Sequence, residues 1–360
     1  MASVPLHQAH IALGAKMCPF AGYDMPIEYP TGTVAEHNAV RNTVGIFDVS
    51  HMGKIRVVGE GALTYLNRVL ANDLNRITDG QAQYSLLCSD SGGVIDDLIV
   101  YRVSDDEIRI VPNAANSQKV VTILQAIAPD GVLVQDLQSE QGILAIQGPK
   151  SADVLQAMGL PSDLAYMSFV DAEFAGHPLS VCRTGYTGEH GYELIAPNDI
   201  LDALWEGALA KGKAVGVIPC GLGARDTLRT EMGYPLHGQD ISLEISAVSA
   251  GLGWAIGWSK AELLGKKKLV AEKELGPTRT LRGLRALDRG IPRAHMSVKR
   301  ADKVVGETTS GTFSPTLQQG IALALLDTDV LDGEELTIDV RGRNLRVEVV
   351  KPPFVNSRVK

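Results

Sequence analysis

Cysteine is scarce in this 360-residue chain, with four residues at Cys18, Cys88, Cys182 and Cys220. They lie far apart and form no CxxC pair, which excludes zinc ribbons and thioredoxin-type redox chemistry. Reduced and mostly buried thiols are the expected state. The eight histidines show neither HxH nor HxxxH spacing, so no metal site is expected. Long apolar runs are missing too: no stretch of roughly 18 apolar residues occurs, and neither a transmembrane helix nor a membrane partner is expected. The first residues lack the charged and apolar regions of a secretory signal, which leads to the expectation of a cytoplasmic protein. Basic charge is in deficit. With 34 Lys and Arg against 42 Asp and Glu, the net charge of −8 argues against nucleic acid as the main partner. Neither GxGxxG nor a P-loop occurs, so nucleotide phosphate binding is unsupported, and without a GxSxG elbow the adjacent Ser50 and His51 make no catalytic triad.

What is present fits a soluble globular protein, 45% apolar and 21% charged, with a length that suggests two or three domains. The first fifty residues are punctuated by glycine and proline around a helix expected at 34–42. Periodicity then predicts a strand at 54–58, a helix at 60–71, strands at 84–88, 94–103 and 107–111, and a helix at 117–127. This is the pattern of a β-rich α+β unit with helices on one face of an antiparallel sheet. Further strands are expected at 142–147, 179–183 and 192–195. Helices are expected at 152–158, at 200–210 after a cap at Asn198, and at 221–233. A charged helix at 260–274 ends at Gly276-Pro277, and strand follows strand from Leu281 onward, which reads as a separate C-terminal β-barrel or sandwich.

Three segments stand out for chemistry. In Val-Ile-Asp-Asp-Leu-Ile-Val-Tyr (94–101), two adjacent carboxylates interrupt an apolar strand. Neighbours on a strand point to opposite faces, so Asp96 or Asp97 must face an interior side, where an unpaired carboxylate is costly. Spacing alone leaves a turn-capping role and a functional role both open. The loop at 183–193 carries three glycines with Tyr186 and Tyr192, which suits either a tight hairpin or the close approach of a flat ligand. In the segment 220–231, Arg225 and Arg229 lie four apart on one helical face beside Asp226, as either a solvated face or a binding one.

These segments together carry a resemblance. Asp-Val-Ser-His-Met (48–52), Gly-Gly-Val-Ile-Asp-Asp-Leu-Ile-Val-Tyr (92–101), Gly-Tyr-Thr-Gly-Glu-His-Gly-Tyr-Glu (185–193) and Gly-Leu-Gly-Ala-Arg-Asp-Thr-Leu-Arg (221–229) resemble the folate-dependent aminomethyltransferases of the glycine cleavage system. So do Thr-Ser-Gly-Thr-Phe-Ser-Pro-Thr-Leu (309–317) and the closing Lys-Pro-Pro-Phe-Val (351–355). The similarity spans nearly the whole chain in the family's order.

The resemblance implies an α+β fold of three domains around a folate channel, with antiparallel sheets and a C-terminal β-barrel. Its boundaries would be 1–52 with 138–230, 53–137 with 231–277, and 278–360. It implies transfer of the methylene of an aminomethyl group from the lipoyl-carrying H-protein to tetrahydrofolate, a substrate here, with release of ammonia and no metal. Carried over by position, Asp96 resembles the catalytic carboxylate. Glu193 resembles the acid that grips the donor edge of the pterin, as a carboxylate can. Arg225 resembles the folate-site arginine, which either touches folate or orients Glu193. Met52, Tyr84, Val111, Asn113 and Tyr186 fall where the family lines its pocket, and Arg358 is the available C-terminal arginine. Two alternatives share the fold: a tetrahydrofolate-dependent demethylase of a methylated small molecule, and a folate-binding factor in iron–sulfur cluster maintenance. Asp96 speaks against the first. Arg183-Thr184-Gly185-Tyr186 speaks against the second, where a Lys-Gly-Cys-Tyr-type motif is expected.

Overall fold

The strand Gln141–Gln147 is apolar without alternation from Ile143 to Ile146, the pattern of a strand covered on both faces. The computed structural model, which describes residues 1–360, sets it inside a six-stranded sheet. The order is Phe169–Phe174, His177–Cys182, Gly191–Pro197, Gln141–Gln147, Val44–Asp48 and Val217–Pro219. Alternate side chains divide between the two faces. Ile46, Leu144, Ile146 and Leu194 pack under the helices Ser151–Ala157 and Leu201–Lys211, against Val154, Leu155, Leu204 and Trp205. Phe47, Ile143, Ala145 and Ile195 turn the other way, toward a second sheet.

That second sheet has five strands, in the order Gln81–Cys88, Val94–Ser104, Glu107–Pro112, Ile55–Val58 and Leu133–Asp136. One face buries Leu98, Val100, Ile108 and Ile110 beneath Leu66, Val120 and Leu124 of the helices Ala62–Val69 and Ser117–Ile127. The other face presents Ala82, Ile99, Tyr101 and Val111 to the first sheet. Two sheets thus meet across a shared apolar layer, each with its own helices outside. A three-stranded sheet of Ala2–Ser3, Lys16–Phe20 and Tyr23–Glu28 adjoins them. Residues 279–350 close into a six-stranded barrel around Leu284, Val298, Ala322, Ala324, Ile338 and Val347, which leaves no free strand edge. No helix is long and apolar enough to cross a membrane.

Most expected elements occur within a few residues of the expected positions, and the differences have local causes. The sheets are not wholly antiparallel: Val217–Pro219 runs parallel to Val44–Asp48, and Ala2–Ser3 runs parallel to Tyr23–Glu28. Two hairpins escaped the reading because their two-residue turns are Ala21-Gly22 and Ala175-Gly176. All four residues have φ between 49° and 86°, and alanine in that conformation carries no sequence signal. The charged helix is shorter than expected, Lys266–Leu275. Residues before it are held by Lys260, whose buried Nζ donates to the carbonyls of Leu70 and Asn72 at 2.6 and 2.9 Å. Asn198 is not a side-chain cap; its Nδ2 donates to the carbonyl of Ser139, and a 3₁₀ turn leads into the helix instead.

Candidate active site

The shared layer between the two sheets is not filled throughout. It opens into a cavity of about 1050 Å³, walled by both sheets, by the helix Leu222–Glu231 and by barrel residues including Arg293 and Gly311. Met52, Tyr84, Val111, Asn113, Tyr186, Glu193 and Arg225 all line it. Residues as far apart in the chain as Met52 and Arg225 therefore meet in one space.

The acidic pair divides in the opposite sense to the one expected. Tyr84, Ile99 and Val111 lie side by side across three strands, so they share one face, and Asp97, two residues before Ile99, shares it with them. Asp97 lines the cavity. Its Oδ2 accepts from the Tyr84 hydroxyl at 3.1 Å and its Oδ1 from Asn113 Nδ2 at 2.7 Å. Asp96 points to the other face and is fully buried outside the cavity wall. It accepts from the Asn113 backbone N–H and Nδ2, both at 2.9 Å, and from Asn116 Nδ2 at 2.7 Å. The correction follows from strand parity: one residue of register exchanges the two faces. Burial pushes both carboxyls above the usual carboxylate range, and the nearby Asp97 charge pushes Asp96 further.

Glu193 stands on the strand Gly191–Pro197 and accepts a hydrogen bond from Thr184 Oγ1 at 2.5 Å, while Thr184 also pairs with the Tyr101 hydroxyl at 3.1 Å. Arg225 donates nothing to Glu193. Its guanidinium lies over the Tyr186 ring at 4.7 Å, and its Nη1 is buried with no partner. Burial lowers its pKa, against the nearby Glu193 charge. Tyr186 is itself fixed by a stack on Tyr234 and a hydrogen bond to the carbonyl of Pro235.

Arg358 is the second departure. It lies outside the cavity wall, with its backbone N–H on the Gly188 carbonyl and its Nη1 on the Arg41 carbonyl. The terminal segment is strapped along the 183–193 loop, and Arg183 Nη2 donates to the Val359 carbonyl at 2.6 Å.

A buried cavity with a carboxylate on one wall and an unpartnered guanidinium beside a second carboxylate suits a flat ligand with hydrogen-bonding edges. Comparison with known proteins gives the family. Residues 6–260 match the family described as GCVT N-terminal domain, and residues 279–356 match the glycine cleavage T-protein C-terminal barrel domain. An aminomethyltransferase of Mycobacterium avium is 58% identical over 353 residues, covering 98% of this chain and 96% of its own. One from a Parafrankia species is 57% identical over 355 residues, covering 98% and 97%. The crystal structure of the glycine cleavage system aminomethyltransferase T from Bartonella henselae superposes with a TM-score of 0.94 at 34% identity, covering 99% of both chains.

The chain belongs to the glycine cleavage T-protein family. Membership makes it an enzyme, a transferase of aminomethyl groups, with the family's α+β architecture and terminal barrel.

Sequence reasoning missed several walls of this family site. Trp254, 63% exposed, stacks on Tyr84 at 5.4 Å. His51 belongs to the segment 48–52 but is not among the expected pocket residues, yet it lines the cavity. Asp97 was recoverable, because Tyr84 and Val111 were already read as pocket residues and their cross-strand partner Ile99 has the parity of Asp97.

Proposed function

We propose that the cavity takes tetrahydrofolate as substrate and that the aminomethyl group arrives on the lipoyl arm of the H-protein. One folate nitrogen displaces ammonia at the methylene carbon and the second displaces the lipoyl sulfur from it, their two protons leaving on the ammonia and the thiol, which gives 5,10-methylenetetrahydrofolate and a dihydrolipoyl carrier. The position of Asp97 is the observation that carries this reading: a half-buried carboxylate in the cavity wall, aimed by Tyr84 and Asn113. The displacement passes through iminium-like positive charge. A fixed carboxylate in a water-poor site stabilises such charge and orients the attacking amine. Glu193 accepts the parallel N–H groups of the pterin's donor edge, and Arg225, in the same cavity wall, turns its guanidinium toward the ligand as a donor. Asp96 acts at one remove, tying Asn113 and Asn116 in place. Because Asp97 carries the charge stabilisation, turnover should proceed unchanged in EDTA. Four free thiols support a reducing, cytoplasmic setting.

The test separates the two acids. Asp97→Asn should fold normally yet release ammonia from the aminomethylated carrier more slowly by a factor on the order of 10²–10⁴. Asp96→Asn should lose melting temperature and keep most of its turnover at a permissive temperature. A normal rate in folded Asp97→Asn, with Asp96→Asn inactive, would restore the opposite assignment.

A further inference from the structure

Three arginines are almost fully buried, and two of them are each paired with two carboxylates. Arg41 meets Glu189 at 3.0 Å and Glu231 at 2.7 Å, and Arg229 meets Asp226 at 2.7 Å and Asp240 at 2.8 Å. Arg183 differs. It is 3% exposed, and its donors reach only backbone carbonyls, that of Gly191 from Nη1 at 3.2 Å and that of Val359 from Nη2 at 2.6 Å, while Nε has no partner. Burial lowers its pKa, against the nearby Tyr192 and Tyr166. A buried cation without a carboxylate is costly, so what it holds together calls for a reason.

Its partners are the supports of one cavity wall. Gly191 opens the strand that carries Glu193, and Thr184, which donates to Glu193, is the residue next to Arg183. The guanidinium lies over the rings of Tyr192 at 5.5 Å and Tyr166 at 5.9 Å, and Tyr166 lines the cavity. The Arg183 backbone pairs with the same stretch: its N–H donates to the Ser168 carbonyl at 2.7 Å, and the Met167 N–H donates to its carbonyl at 3.1 Å. Arg183 thus closes the neck of the 184–190 loop. Through Val359 it also ties that neck to the end of the chain, where the Arg358 N–H holds the loop again at the Gly188 carbonyl. Asp97 and Tyr84, on the other sheet, have none of these partners.

We propose that Arg183 is a positioning residue for the substrate: by tying the neck of the 184–190 loop to the terminal segment, it holds Thr184 and Glu193 where the pterin edge is received. This rests on the tetrahydrofolate reading above. A guanidinium presents its donors in a rigid planar fork, so it fixes the separation of two carbonyls as a flexible ammonium does not. With the tie cut, the wall spends part of its time in other arrangements, and apparent affinity falls in proportion to the competent fraction. The chemical step of a bound substrate is untouched, because Asp97 is held separately by Tyr84 and Asn113.

The experiment follows ammonia release from the aminomethylated carrier against tetrahydrofolate concentration, beside calorimetric titration and thermal melts. Wild type is compared with Arg183→Met, with a chain ending at Asn356, and with the two changes combined. The shortened chain removes the Val359 acceptor without opening a buried site, so it decides alone should Arg183→Met not fold. Each single change should raise Kd and KM for tetrahydrofolate about tenfold and leave kcat at saturation within about twofold of wild type. The combination should bind no more than about twofold less tightly than the shortened chain, because both changes cut one tie. Undiminished affinity in the shortened chain, a fall in kcat without a rise in KM, or losses that multiply in the combination would each overturn the assignment. A wild type that does not bind tetrahydrofolate would instead sink the functional reading, and this inference with it.

Discussion

Arg225 and Arg229 stand one turn apart on the helix Leu222–Glu231, and the two ends of that helix do opposite things. Arg229 is saturated: Asp226, Asp240, Ser310 and the Tyr234 carbonyl take its donors, the first three at 2.8 to 3.0 Å. The helix's last residue, Glu231, is equally saturated. It accepts from Arg41 Nη2 at 2.7 Å, from Thr316 Oγ1 at 2.9 Å and from Ser314, and so ties the barrel to the helix Thr33–Asn42. Arg225, toward the cavity, keeps Nη1 unmatched. Charges matched within the protein hold its parts together, and charges left unmatched are available to a ligand.

The largest expected effect breaks the saturated end. Arg229→Met leaves Asp240 buried without its cation, and stability should fall by about 3–5 kcal/mol in denaturant titration. Little change in stability would show that the barrel contact does not depend on this arginine, and the contrast would fail.

Acid should act on the same end. The hydrogen bond and charge of His37, the hydroxyl of Ser314 and the charge of Arg41 outweigh burial and lower the Glu231 carboxyl from 4.5 to about 2. A carboxyl lowered on folding contributes stability above its unfolded pKa and loses it as pH falls toward the folded one. Roughly 3 kcal/mol should therefore disappear between about pH 4.5 and pH 2. Melts of the wild type against Glu231→Gln across that window should converge as the pH drops. A gap that stays constant would remove Glu231 as the titrating group.

The smallest effect sharpens the other end. Arg225→Met should weaken tetrahydrofolate binding by about 1–3 kcal/mol and leave the melt of the free protein unchanged or raised. A fall in stability comparable to that of Arg229→Met would erase the distinction between the two arginines.

The legibility of the sequence follows the same division. Segments governed by local periodicity, such as the helix Ser117–Ile127 and the strand Glu107–Pro112, were readable because one face of each is apolar at the right spacing. The hairpins turning at Ala21-Gly22 and Ala175-Gly176 were not, since their geometry is imposed by strand pairing rather than announced by the turn residues. Of the site, Tyr84, Val111, Asn113, Tyr186, Glu193, Arg225 and Met52 were recognisable through resemblance and do meet in the cavity. Asp96 and Arg358 were not correctly placed, because one depends on strand parity and the other on where the terminal segment runs.

By itself the sequence determined the kinds of element, the barrel that begins near residue 279, the family, and the presence of two adjacent acids in an apolar strand. These rest on periodicity and motif, which are properties of neighbouring residues. Only the tertiary structure decided which acid faces the cavity, which arginine is saturated and which buried arginine has no carboxylate. Those outcomes depend on register and on contacts between residues far apart in the chain, such as Glu231 with Thr316 and Arg41 with Glu189. A hydrogen bond is satisfied or unsatisfied only once both partners have been brought into the same space.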